Sequence, residues 1–249
     1  MFLRISEIIR MRIIKPILLL TFFLLQAGCT PFDKIYSHDF SDGYFKLKKP
    51  DQTPESVYLK LDDDSIRVYP VLADKKSGMA DTVNFYSTNL NSIKPGTCLY
   101  NSTFVKTSAD VDLSTVLLKF RPSAGDVPSQ LNANLNGILY AGFRKDYFKI
   151  KSSFSPLRET TSFIRHTGFD FGVFAGIGIT PVNYTVTMNK TFQEYDGIVF
   201  QKGISVFATY ENMSVGLALG FDNLLDHNKS IWVFNNKPWI GLVLGIANF

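Results

Sequence analysis

The side chains able to do chemistry are few and scattered. The chain has two cysteines, Cys29 and Cys98, and three histidines, His38, His166 and His227. The histidines are far apart, and none stands in the short spacing that a zinc site uses. Asp62, Asp63 and Asp64 form an acidic run. It lacks the further oxygen ligands at fixed intervals that a calcium loop requires, so it reads as the solvated tip of a hairpin. Glu194 and Asp196 in EYDG are two apart and can share a strand face. A carboxylate pair is the minimum for acid–base work, but acidic residues commonly punctuate turns, and a loop or strand-end role suits these better. No Gly-x-Ser-x-Gly elbow, phosphate loop or supported Cys–His pair occurs. No catalytic residue, cofactor or metal is therefore assigned, and the expectation is a non-enzymatic protein.

Cys29 closes the segment KPILLLTFFLLQAGC (15–29). The apolar run from Ile17 to Leu25 is nine residues long, and a spanning helix needs about 20. Arg12 and Lys15 precede it, and Ala27 and Gly28 follow it. That order is the pattern of a secretory signal. The residues before Met11 make a long lead-in, and a start at Met11 gives a more compact signal. The ending LLQAGC resembles the lipobox of bacterial lipoproteins, Leu-(Ala/Ser)-(Gly/Ala)-Cys. Ala27, Gly28 and Cys29 fit, and Gln26 stands where leucine is usual, with Leu25 just before it. The resemblance implies a signal peptide at 1–28, lipidation (palmitate-type acylation) of Cys29, and a Gram-negative envelope. The alternative is an ordinary cleaved signal with an incidental cysteine. With Cys29 acylated, Cys98 has no partner for an internal disulfide and reads as a buried or half-buried thiol.

Residues 1–28 hold four of the 26 basic residues and one of the 22 acidic ones, so the remainder carries 22 and 21, a net charge of +1. Such a balance shows no clustered basic face of the kind nucleic-acid binding needs, and no nucleic-acid partner is expected.

The elements that position these residues are strands. Beyond Cys29 helical periodicity is almost absent, aromatic and β-branched residues are common, and Gly, Pro and Asn punctuate them, which is an all-β signature. Residues 29–111 read as a small β-region: GYFKLKK (43–49), SVYLKL and SIRVYPV around the acidic tip, and TVNFYST (82–88). Residues 112–249 carry longer segments with a different alternation. In FDFGVFAGIGI, Phe169, Phe171, Val173, Ala175, Ile177 and Ile179 share one face, and Asp170, Gly172, Phe174, Gly176 and Gly178 the other. SVGLALGF (214–221) and WIGLVLGIANF (239–249) repeat the pattern of one greasy and one small face. In STVLLKFR, Val116, Leu118 and Phe120 alternate with Thr115, Leu117, Lys119 and Arg121, and in YFKIK, Phe148 and Ile150 with Lys149 and Lys151.

Lipid offers no hydrogen bonds, so a sheet that crosses a membrane must close on itself and turn its apolar face outward. The pattern predicts an antiparallel up-and-down meander or barrel of about eight strands: 113–121, 135–143, 147–153, 168–179, 183–189, 198–210, 213–222 and 238–247. Long and short connections then alternate, as in outer-membrane barrels. The terminal Phe249 resembles the last aromatic of that class. Trp232, Phe234 and Trp239 fall near the mouth, where aromatic girdles or core aromatics are both in keeping. The polar-aromatic segment 222–239, with Asp226, His227, Trp232, Phe234 and Trp239, is the expected partner-contact loop.

The expected role is structural, in assembly or at the surface, with outer-membrane lipid, an envelope protein or a second copy of the chain as partners. Period 2 says which residues share a face and not what that face meets. A soluble, lipid-anchored β-sandwich or lipocalin-like binding module therefore stays open, as does a barrel to which several subunits each contribute strands.

Overall fold

A computed structural model describes residues 40–245 apart from 51, 63–64, 73–77, 90–92, 155–159 and 212. The leader, Cys29, His38, Asp63, Asp64 and Phe249 lie outside the described residues. The strands are β1 (Gly43–Lys48), β2 (Glu55–Asp62), β3 (Ser65–Pro70), β4 (Tyr86–Asn89), β5 (Thr103–Arg121), β6 (Gln130–Asn132), β7 (Asn136–Phe154), β8 (Thr160–Val182), β9 (Tyr195–Tyr210), β10 (Met213–Leu224) and β11 (Pro238–Gly245). All belong to one antiparallel sheet of 11 strands, so the expected all-β class holds.

Closure comes from β11, which pairs β10 on one edge and β5 on the other. The six strands β5, β7, β8, β9, β10 and β11 thereby form a barrel within a single chain. No second copy is needed to complete it. The count is six rather than eight, for two local reasons. Residues 135–143 and 147–153 are halves of one strand, β7. The charged triplet at 144–146 looks like a turn but continues the alternation, with Arg144 and Asp146 buried inside and Lys145 outside. Residues 183–189 are a run of turns and not a strand. The Asn183 side chain accepts from the backbone N–H of Thr185 and Val186 at 3.1 and 3.2 Å, and Met188 and Asn189 take positive φ of 53° and 60°. An Asx turn of this kind competes with the ladder for the same backbone groups.

A bulge resets the phase of β5. The register against β11 shifts between Leu242 and Val243, facing Leu118 and Val116. Leu117 and Leu118 are both exposed, so Val116 lies on the inner face together with Lys119 and Arg121. Strict alternation had placed Val116 with Leu118. One extra residue on the bulged strand is enough to change faces.

β5, β7 and β8 are 19, 19 and 23 residues long and outreach the other barrel strands. Below the barrel the same sheet continues from β5 through β1, whose Lys46 faces Val105, to β2, β3 and β4, a lower part of the sheet. The expected boundary at residue 112 falls within β5, which both parts share. β2 and β3 form the expected hairpin around the acidic tip. The strand expected at 82–88 begins only at Tyr86 and runs to Asn89, because Asp81 accepts from the N–H of Val83 and Asn84 at 2.9 and 3.0 Å and holds the start as a turn.

The lower sheet packs its inner face into a core of Phe45, Leu47, Val57, Leu59, Ile66, Val68, Phe104, Phe148 and Ile150, with Ile93 and Leu99 packed into it from the segment before β5. The inner face of β7 thus passes from Tyr140, Arg144 and Asp146 in the barrel to Phe148 and Ile150 below. On the inner face of β7 the change from polar to apolar comes between Asp146 and Phe148.

Candidate functional site

In the barrel the greasy face points outward. Leu113, Leu117 and Phe120 of β5, Leu139 and Phe143 of β7, Phe169, Phe171, Val173 and Ile177 of β8 are all exposed. So are Ile198, Phe200 and Ile204 of β9, Leu217, Leu219 and Phe221 of β10, and Ile240 of β11. Phe143 is 75 % exposed and Leu217 58 %. A patch of a few hundred Å² is already large for a monomer in water, and this one runs round the whole barrel. Among the described residues of the band one carries a charge: Lys202, four positions from Ile198. Tyr210 stands at the lower rim, next to the short connection to β10.

The interior holds the polar groups, in layers. In the upper layer the Asp222 carboxylate accepts from Lys119 Nζ at 3.1 Å, Arg121 Nη2 at 2.5 Å and Trp239 Nε1 at 2.8 Å. Lys119 also donates to Asn136 Oδ1 at 3.1 Å and Gln201 Oε1 at 3.0 Å, and its ammonium lies 4.4 Å from the Trp239 ring. Asp222, Lys119 and Arg121 are all buried. Burying a charge is expensive unless it is paired and hydrogen-bonded; here two cations share one carboxylate, and Arg121 Nε and Nη1 make no hydrogen bond.

The lower layer is built on Arg144, which reaches Asp146 at 2.9 Å and Asp110 at 3.7 Å. His166 Nε2 lies 2.8 Å from the same Asp146, and its ring stacks on Phe148 at 4.6 Å. Tyr140 donates to Asp170 at 2.5 Å. Between the layers sit Phe174, Phe207, Trp239 and Ala218. The space beside Asp110, Tyr140 and Arg144 is about 10 Å³, about the least that holds one water. The lumen is filled by side chains.

The glycines make this filling fit. Gly203 and Gly220 face each other across β9 and β10. A Cβ on Gly203 would lie 2.1 Å from the Leu219 carbonyl, and one on Gly220 would lie 2.4 Å from the Trp239 ring, with Phe174 within 2.9 Å of both. The bare backbone there is the seat of two large rings.

The upper end is closed by a cap of Val127, Val182, Val186, Val199, Leu224, Trp232 and Phe234. Here the expected contact loop divides. Trp232 and Phe234 are turned down into the cap, 3 % and 2 % exposed, with the Arg121 guanidinium 5.4 and 5.7 Å from their rings. Trp239 is wholly inside the barrel. These three are core aromatics, not a girdle. Asp226 caps a single 3-10 turn, His227–Ser230, by accepting from Asn228 N at 2.7 Å, and it also accepts from Tyr195 O–H at 2.6 Å. His227 is exposed at that end. The Tyr195 phenol is thereby tied to the loop.

Glu194 and Asp196 are exposed at the upper rim where β9 begins. Cys98 is exposed, 3.6 Å from Thr88 Oγ1, and not buried as its sequence context had implied. Among the described residues no group of three His, Cys, Asp or Glu side chains is placed to hold a metal ion. The interior ion pairs had no local signature: Lys119 and Asp222 are 103 residues apart. The visible traces were Asp170 standing among glycines on the small face and Lys119 and Arg121 alternating with Leu118 and Phe120. Comparison with protein-family models, with curated proteins and with solved structures finds no match to this chain.

Proposed function

We propose that this protein is a lipid-anchored envelope protein whose six-stranded barrel crosses the outer membrane as a closed, side-chain-filled plug. The observation that carries the reading is the inverted polarity of the barrel: large apolar side chains on the outside, ion pairs on the inside. Spanning barrels need that distribution, because lipid meets the outer face. A soluble cup or sandwich needs the reverse. The lower sheet, with its apolar inner face and lysines outside, has the water-soluble arrangement and belongs beside the membrane.

The longer connections, 122–129, 183–194 and 225–237, gather at one end, and at the other the strand ends pair closely, Phe154 with Thr160 and Tyr210 with Met213. Outer-membrane barrels place long loops at the cell surface and short turns in the periplasm. The β1–β4 module then lies on the periplasmic side. Eight strands leave an interior just wide enough for side chains to fill, and six leave less. The barrel therefore anchors and positions its two ends and does not conduct; a structural, assembly or surface-interaction role follows, without catalysis.

The test is a Cys29→Ala variant with an ordinary signal-peptidase site, exported without lipid. Membranes are fractionated and washed with carbonate and urea. Retention in the outer membrane is the expected result. Release as a soluble folded protein would sink the proposal and favour the lipid-anchored soluble module. In planar bilayers the purified protein is expected to give no steady conductance.

A further inference from the structure

The net charge of +1 beyond residue 28 conceals an uneven distribution. Four acids, Asp110, Asp146, Asp170 and Asp222, are buried inside the barrel with three cations, Lys119, Arg121 and Arg144. The cations of the lower sheet stay outside. Lys46 and Lys48 of β1, Lys60 of β2, Lys145 and Lys149 of β7 are exposed on its outer face, and Arg165 of β8 is partly exposed there. Register sets them side by side: Lys48 faces Thr103, Thr103 faces Lys149, and Lys149 faces Arg165, in one row across four strands. Like charges directly across a ladder are destabilising, so a row of this kind is favourable where an anion meets it. Among the described strand residues of this face the acid is Asp62, at the far edge and already bridged to Arg67 at 2.7 Å.

The face begins where the apolar band ends. Lys145 follows Phe143 on the same outer side of β7, two residues on. Beside it a groove of about 830 Å³ is lined by Lys46, Lys48, Lys145, Tyr44, Pro54 and Val105. It combines three ammonium groups with apolar walls at the lower rim of the barrel.

We infer that this outer face binds the phosphate headgroups of anionic phospholipid in the leaflet that borders the lower rim. The inference rests on the membrane reading above. Its physical basis is the attraction of juxtamembrane basic residues to an anionic surface, which acts within a Debye length. Lys145 borders the band, two residues beyond Phe143, and the row at Lys149 follows four residues farther along the same strand. A cationic face that starts at the edge of the band favours lipid over an acidic protein.

The experiment uses the full-length protein in phosphatidylcholine vesicles with a trace of spin-labelled phosphatidylglycerol or phosphatidylcholine. Electron paramagnetic resonance counts the lipid whose motion the protein restricts. The expected result is a preference for phosphatidylglycerol of about threefold or more at low salt, falling toward parity in 1 M salt as charges are screened. A Lys46→Gln/Lys145→Gln/Lys149→Gln/Arg165→Gln variant is expected to restrict as much lipid in total but without the preference. Restricted lipid with no preference in the unaltered protein would overturn the inference and turn attention to an acidic protein partner. No restricted lipid of either kind would overturn the membrane reading itself. The salt dependence of the unaltered protein gives the answer even if the variant does not fold.

Discussion

Replacing Asp222 with alanine probes the upper ion layer at its hub. Asp222 has 0 % exposure and accepts from Lys119, Arg121 and Trp239. Without it two buried cations lose their counter-charge. Breaking a buried pair by removing one partner costs about 3–5 kcal/mol. Lys119 keeps Asn136 and Gln201 as acceptors, which holds the cost near the lower end of that range. Asp222→Asn keeps one acceptor oxygen for Trp239 but loses the charge and turns the second oxygen, which faces Arg121, into a donor, so it should recover only part of the cost of alanine. In a Lys119→Met background one of the two stranded cations is gone, and the alanine substitution should cost less by about 0.5–3 kcal/mol, the usual coupling of residues in one network. The assay is urea unfolding from lipid vesicles followed by tryptophan emission. The chain has two tryptophans, and both line this region: Trp239 donates to Asp222, and Trp232 lies under Arg121. With a slope of about 1–3 kcal/mol per molar urea, the midpoint should fall by about 1 M or more. An unchanged midpoint, or the same cost with and without Lys119→Met, would refute the network.

Gly220→Val places a side chain where the Trp239 ring lies 2.4 Å from a bare Cβ. It should abolish the folded barrel, judged by protease resistance in vesicles, whereas Ala175→Val on the outer face of β8 should leave it intact. Lys202→Leu removes the charge from the apolar band. In vesicles it should stabilise the barrel by about 1–2 kcal/mol, between the midplane and interface values for such a residue; destabilisation in the same urea titration would mean that an anion meets Lys202. Tyr86 has its phenol pKa raised, chiefly by burial and then by the Glu55 carboxylate 3.4 Å away. The folded state therefore holds that proton more tightly than the unfolded chain. Its contribution to stability is complete below about pH 10 and is lost as pH rises above it. Ultraviolet titration of the protein should lose one late-titrating tyrosine in Tyr86→Phe; an unchanged titration curve would contradict its burial.

Much of the barrel wall was legible because alternation is local. Each residue of 169–179 and 214–221 lies on the face its parity assigns, with Asp170 and Gly178 inside and Phe171 and Leu217 outside. Two segments misled for local reasons of another kind. Arg144, Lys145 and Asp146 read as a turn because three charges in succession suit water, yet two of them find partners inside. At 183–189 β-branched residues read as a strand, but the Asn183 side chain takes the backbone N–H groups that a ladder would use. At Leu117 and Leu118 both neighbours are leucine, so nothing in the pattern marks the bulge that moves Val116 inside.

By itself, the sequence determined the all-β class, the pairing of greasy with small faces, and the tight β9–β10 turn, because each depends on residues within a few positions of one another. Tertiary structure alone decided that six strands close, that Asp222 meets Lys119 and Arg121, that Trp232, Phe234 and Trp239 turn inward, and that scattered lysines make one basic face. Those outcomes depend on which strand edges meet. Closure joins β11 to β5, strands more than a hundred residues apart, and only that contact separates an inside from an outside.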